Sequence, residues 1–99
     1  MKNNYWVYIV LCNDKSYYTG VTNNIELRVW QHNNDEDKTH YTYSRRPVKL
    51  VYSELFNNIN EAIAREKQIK GWSRKKKEAL IKGNQNELIK YSQRKNKNR

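Results

Sequence analysis

The stretch from Trp6 to Thr22, WVYIVLCNDKSYYTGVT, constrains this chain more than any other. Its left arm alternates, with Trp6, Tyr8, Val10 and Cys12 on one face of a strand and Val7, Ile9 and Leu11 on the other. Asn13-Asp14-Lys15-Ser16 is a cluster of turn formers, and Tyr17-Tyr18-Thr19-Gly20-Val21 is again aromatic and β-branched apart from its glycine. The result is a hairpin whose loop length decides what faces what. A three-residue loop of Asn13, Asp14 and Lys15 sets Cys12 opposite Ser16, Val10 opposite Tyr18 and Tyr8 opposite Gly20. Tyr8 and Tyr18 then share a face as diagonal neighbours, roughly 7–8 Å apart. A two-residue loop would send them to opposite faces, because a one-residue slip inverts the pattern. Cross-strand aromatic packing accounts for the tyrosines, but not for a glycine opposite Tyr8. Glycine weakens a strand and marks a close approach by a ligand or by backbone.

The rest of the chain reads as one small α+β domain. Asn23-Asn24 offer a cap to a helix that carries Ile25, Arg28, Val29 and His32 on one stripe. Residues 33–47 are polar and end in the only proline, which predicts a long loop. Lys49–Phe56 predicts a third strand. Asn58 and Glu61 form an amide version of a capping box ahead of a helix from about Ile59 to Lys70, stopped by Gly71. Ser73 caps a third helix, RKKKEALIK, with Gly83 at its end. Asn84–Tyr91 predicts a short helical turn, and Gln93–Arg99, with no apolar residue, a disordered tail.

Composition narrows the class. The formal net charge of +10 is carried wholly by the C-terminal third: residues 1–63 hold seven basic and seven acidic side chains, and residues 64–99 thirteen and three. A basic block of this kind suits a polyanion. Without an amphipathic anchor of aromatic and leucine residues, nucleic acid is a better partner than a membrane surface. No apolar run has the length of a membrane span. One cysteine makes no internal disulfide, so a reducing cytoplasm is the expected setting and Cys12 a core strand residue.

Three polar residues sit where apolar ones are expected. The stripe Ile59, Ala62, Ile63 and Ile69 defines the buried face of its helix, and Glu66 lies in the middle of it. A carboxylate there must be paired, protonated or metal-bound. A salt bridge to a nearby Lys or Arg explains it as well as a metal ion does. Arg28 and His32 are turned inward in the same way beside Ile25 and Val29. Together with the two tyrosines, these residues read as the parts of one site. Arginine recognises phosphate with two prongs, glutamate suits a hard divalent ion, and tyrosine or histidine moves protons. The parts suit phosphodiester hydrolysis.

At this point the chain resembles the GIY-YIG nuclease family, and within it the small single-domain bacterial branch. Trp6-Val7-Tyr8 corresponds to the first signature and Tyr18-Thr19-Gly20 to the second. Arg28 stands where the family has its arginine, His32 one turn later, and Glu66 in the later helix that carries the metal-binding glutamate. The pieces YTYSRRPVKLVYSE and EAIAREKQIKGWSRKKKEALI extend the likeness over about residues 5 to 83. Trp6 replaces the nominal glycine, Thr19 the central isoleucine, and the loop NNDEDKTH lacks the glycines of the pattern.

The resemblance implies a three-stranded antiparallel sheet flanked by three or more helices, a nuclease domain over 1–83 and a basic extension over 84–99. It also implies a divalent-metal-dependent endonuclease acting on nucleic acid, DNA before RNA, with structural or weak sequence specificity and no small-molecule cofactor. Glu66 would hold one Mg²⁺ or Mn²⁺, Arg28 would neutralise phosphoryl charge, Tyr18 would hydrogen-bond the phosphate, and Gly20 would leave room for substrate. Tyr8 would orient or deprotonate the attacking water. A free phenol has a pKa of about 10, so His32 is an alternative base or relay. Lys70, Arg74, Lys75, Lys76 and Lys77 would grip the phosphate backbone, with Arg45, Arg46, Tyr41 and Tyr43 as further candidates in the long loop. Trp72 either stacks on a base or packs between helices. The alternatives are a catalytically quiet nucleic-acid-binding module on the same fold, or a protein-interaction domain whose buried polar residues close on one another.

Overall fold

A computed structural model of the chain describes residues 4–83. The expected helical turn at 84–91 and the tail at 93–99 lie outside the described residues. Strands β1 (Tyr5–Leu11) and β2 (Tyr17–Thr22) form the hairpin, with Val10 paired to Tyr18 and Tyr8 to Gly20. The three-residue loop is closed by Lys15 N–H donating to Cys12 O (2.9 Å) and Cys12 N–H donating to Ser16 O (2.8 Å). Lys15 takes the left-handed conformation this loop demands, with φ 74°. Asp14 steadies the turn by accepting from both the amide and the hydroxyl of Ser16.

Helix α1 (Ile25–Asn34) starts where Asn24 Oδ1 accepts from Leu27 N–H at 3.1 Å. Strand β3 (Lys49–Phe56) pairs antiparallel with the free side of β1, giving the order β2-β1-β3. Helix α2 (Ile59–Lys70) begins on Asn58, whose side chain accepts from Asn60 and Glu61 N–H. Helix α3 (Arg74–Ile81) begins on Ser73, which accepts from Lys76 N–H. The three-stranded antiparallel sheet and its flanking helices are those expected from sequence.

Period-two alternation divides the labour of β1. Val7 and Ile9 enter one apolar cluster with Ala62 and Ile69 of α2 and Leu80 of α3. Tyr8, Val10 and Cys12 enter a second with Val48, against which Ile25 and Val29 of α1 pack. Truncating Ile69 or Ile9, both fully buried, would cost about 2–5 kcal/mol. The stripe expected on α2 needs correction: Ala62 and Ile69 are buried, but Ile59 and Ile63 are exposed. At 100° per residue those two lie about 60° and 100° round the helix from Ala62, beyond the line that meets the sheet.

The loop before β3 is glycine-free yet firmly anchored. Asn33 acts as a one-residue strand partner for Val48, its Oδ1 accepting from Val48 N–H (2.8 Å) and its Nδ2 donating to Val48 O (3.2 Å). Arg46 donates to the carbonyls of Asn33, Asp35 and Tyr43 and lies over the Tyr43 ring. Arg45 reaches back to the hairpin turn, donating to Asp14 Oδ2 (3.0 Å) and to Tyr41 O (2.7 Å). A short 3₁₀ turn, Tyr43–Arg45, completes the path.

Candidate active site

Tyr8 lies on the central strand, bonded to a neighbour on each side, so its position is fixed by the whole sheet. Its ring passes directly over Gly20. A β-carbon on residue 20 would fall 2.6 Å from Tyr8 Oη and 2.8 Å from Cζ. The glycine was expected to leave space for substrate, but the Tyr8 ring fills that space. Tyr18 is the diagonal neighbour on the same face, with ring centroids 6.4 Å apart.

The inward stripe of α1 brings Arg28 and His32 to the Tyr8 hydroxyl. Arg28 Nε donates to Tyr8 Oη at 3.4 Å and Arg28 Nη1 to Gln31 Oε1 at 3.2 Å. Tyr8 Oη lies 2.8 Å from His32 Nε2, and His32 Nδ1 lies 3.0 Å from Thr42 Oγ1. Tyr8, His32 and Thr42 are all buried. A guanidinium only donates, so Tyr8 Oη accepts from Arg28 and turns its own hydrogen to His32 Nε2. In that arrangement the remaining proton of a neutral ring would be the one on Nδ1, the nitrogen beside Thr42. Burial, followed by the positive charge of Arg28, holds the His32 pKa down from 6.5 to about 4, so the ring is neutral at neutral pH. Burial also pushes the Tyr8 phenol up, outweighing the hydrogen bond from Arg28 that lowers it. At rest the pair is a phenol facing a neutral imidazole.

Glu66 approaches from α2, close enough that its charge adds to the upward push on Tyr8. Its side chain is 18% exposed and Oε2 lies 2.8 Å from Lys70 Nζ one turn on, a side chain that is itself 53% exposed. The ion pair that sequence allowed is therefore present, with a partner free to swing into water. Among the described residues no group of three or more His, Cys, Asp or Glu side chains converges on a metal position.

A cleft of about 90 Å³ opens beside this chain, lined by Tyr18 of β2, Arg28, Gln31 and His32 of α1, and Tyr41 and Thr42 of the loop. Tyr41 stacks on Tyr18 with centroids 5.7 Å apart and is covered by the Arg45 guanidinium at 3.9 Å. Sequence reasoning missed the roles of Thr42 and Asn33: one is a polar residue inside a polar loop and the other a polar residue at its start, and no spacing singles them out.

The basic residues are dispersed. Lys70 lies on Glu66, and Arg74 pairs with Glu78 (3.1 Å) while covering the Tyr17 ring. Lys76 lies over Trp72, which packs against the core with Arg65 also at its ring. Consecutive residues of a helix are 100° apart, so 74–77 radiate around α3 and make no single face. Arg45 and Arg46 are engaged within the loop as described above.

A model of the GIY-YIG catalytic domain matches residues 4–79. The chain belongs to the GIY-YIG family. It is 50% identical over 84 residues to a UPF0213 protein of Syntrophus aciditrophicus, covering 85% of this chain and 95% of that one. To a UPF0213 protein of Staphylococcus saprophyticus it is 49% identical over 77 residues, covering 78% and 93%. The solution structure of a UPF0213 protein of Bacillus halodurans superimposes with a TM-score of 0.54 at 37% identity, over 82% of this chain and 85% of that one. A solution structure from E. faecalis gives 0.58 at 36%, over 84% and 90%. The GIY-YIG domain is that of a nuclease family, and the UPF0213 proteins are this chain's relatives. No helix among the described residues is long and apolar enough to cross a membrane.

Proposed function

We propose that the chain is a divalent-metal-dependent endonuclease that hydrolyses phosphodiester bonds in DNA, with structural or weak sequence specificity. The observation that carries this reading is the run Arg28–Tyr8–His32, with Tyr8 and His32 buried and with Arg28 and His32 lining a cleft of about 90 Å³. Nucleic-acid binding alone has no use for a buried phenol hydrogen-bonded to a neutral imidazole.

Tyr8 and His32, alternatives on sequence grounds, work in series in this scheme. As Tyr8 Oη takes a proton from the attacking water, its own proton passes 2.8 Å to His32 Nε2, so the phenol is regenerated and the imidazole becomes cationic. The phosphodiester anion prepares this transfer by offsetting the Arg28 charge that helps hold His32 neutral. Arg28 neutralises charge that develops on the phosphoryl oxygens, and Tyr18 hydrogen-bonds the phosphate.

Glu66 fits a metal role, because Mg²⁺ is bound by one or two carboxylates together with substrate phosphate and water rather than by a protein cage. A partly exposed carboxylate whose counter-ion is a half-exposed lysine meets that requirement. One Mg²⁺ or Mn²⁺ bound there would supply charge stabilisation for the departing oxygen. Lys70, Arg74, Lys75, Lys76 and Lys77 would meet the phosphate backbone as separate contacts, giving affinity without sequence readout. Arg45 and Arg46, held to Asp14 and to loop carbonyls, would act through the loop they brace.

The test is incubation of wild type and Tyr8→Phe with labelled single-stranded, duplex and forked DNA, in Mg²⁺, in Mn²⁺ and in chelator. Wild type should cut in metal alone, and Tyr8→Phe should bind but not cut. Binding without cleavage by wild type in every condition would leave the module reading in place.

A further inference from the structure

Thr42 lies in the piece YTYSRRPVKLVYSE and in no regular element, and it is as deeply buried as the residue it touches. We propose that Thr42 is a positioning residue: its hydroxyl fixes the ring proton of His32 on Nδ1 and so keeps Nε2 free to accept from Tyr8. The inference rests on the reading of Tyr8 and His32 as a proton relay and adds the element that orients it.

A neutral imidazole carries one proton on either nitrogen, and the relay works with only one of these forms. Hydroxyls do not choose by themselves, since Tyr8 and Thr42 can each give or take a hydrogen bond. The direction is set at the Arg28 end and completed by Thr42. Arg28 Nε must donate to Tyr8 Oη, and the other polar neighbour of that oxygen is His32 Nε2, so the phenol hydrogen goes there. Nδ1–H then needs an acceptor, since His32 is only 6% exposed, and Thr42 Oγ1 at 3.0 Å supplies it. The backbone around Thr42 is held on both sides: Tyr41 O accepts from Arg45 Nη1, Thr42 O accepts from Arg45 N–H, and the Arg46 guanidinium ties Tyr43 to the end of α1. Without the hydroxyl, an Nδ1–H would be buried unpaired, and burying an unpaired donor is costly. Moving the proton to Nε2 removes that cost but points a donor at Tyr8, and the acceptor is lost.

The experiment compares wild type, Thr42→Val and Thr42→Ser. Valine keeps the shape without the hydroxyl, and serine keeps the hydroxyl. Long-range ¹H–¹⁵N spectra of the His32 ring at neutral pH, without metal or DNA, read the tautomer directly. Wild type and Thr42→Ser should carry the proton on Nδ1. Thr42→Val should lose that form and cut DNA roughly 10²-fold more slowly, the scale of one general acid–base contribution. A Thr42→Val protein with an unchanged tautomer and unchanged cleavage would overturn the proposal. If the valine variant fails to fold, the wild-type spectrum decides, since a ring proton on Nε2 overturns it equally. A tautomer that responds to Thr42 in a protein that cuts no DNA would uphold the positioning role and remove the nuclease reading. Cleavage that is indifferent to Thr42→Val would do the reverse.

Discussion

The Tyr8 ring and the missing side chain of Gly20 share one volume: the two residues are paired across β1 and β2, and the ring of one lies where the β-carbon of the other would begin. Neither can change alone. The closest atoms are the hydroxyl and Cζ of a fully buried ring, which cannot move aside without leaving Arg28 and His32.

Gly20→Ala should therefore destabilise the protein by about 1–3 kcal/mol, the usual cost of overpacking, even though alanine suits a strand better than glycine. Urea denaturation measures this. Cleavage should fall further than stability, because the displaced group is the phenol hydroxyl. A variant as stable and active as wild type would show that the ring has another place to go.

His32 predicts a pH dependence of stability. Its folded pKa of about 4 lies below the ordinary 6.5, so the unfolded chain binds the proton more readily. Stability from the neutral ring is thus fully present above about 6.5 and is lost as pH falls through about 4. Within that window the slope is at most about 1.4 kcal/mol per pH unit. Denaturation between pH 4.5 and 7 should show a smaller slope in His32→Gln than in wild type. His40 is common to both and cancels. Equal slopes would mean that His32 takes up its proton in the fold as easily as in the unfolded chain.

Glu66→Gln separates the metal role from the ion pair. Lys70 is 53% exposed, so losing the pair without metal should cost no more than about 1 kcal/mol, as for other partly exposed pairs. Wild type should gain melting temperature on Mn²⁺ addition and Glu66→Gln should not, with cleavage lost in parallel. A large metal-independent drop in stability would return Glu66 to a purely structural role.

Replacing Lys75, Lys76 and Lys77 together with Ala should weaken binding to all DNA sequences alike and flatten its salt dependence by about 0.9 log units per lost phosphate contact. Lys76 also covers Trp72, so a melting curve must accompany the titration. An unchanged salt slope would show that these side chains meet solvent rather than DNA.

What could be read from the sequence follows the range of the interactions involved. The register of the hairpin, the caps at Asn24, Asn58 and Ser73, and the inward placing of Arg28, His32 and Glu66 depend on residues within a turn or two, and periodicity exposes them. The signal at Gly20 was legible but its occupant was not, since a glycine reports that space is needed without saying by what. Ile59 and Ile63 were placed in the core because period alone does not give the width of the surface a helix meets. Thr42 and Asn33 were invisible. Their roles arise from contacts across the long loop, Asn33 with Val48 and Thr42 with His32, and no repeating pattern marks such pairs.

Tyr17 and Tyr18 are adjacent and face opposite ways, Tyr17 toward Arg74 and Glu78 of α3 and Tyr18 toward His32. A hairpin turning on Asn13-Asp14 alone would move Tyr17 into Tyr18's register, a misalignment to which the chemistry of the two side chains is blind. It would also set Thr19 in place of Gly20 opposite Tyr8, with a branched side chain where the ring must lie. The strained φ of Lys15 belongs to the correct alignment, and the glycine excludes the other. Gly20 thus proofreads the pairing of the strands as well as admitting the ring, and a substitution there would admit misfolded hairpins that still present a tyrosine to the cleft.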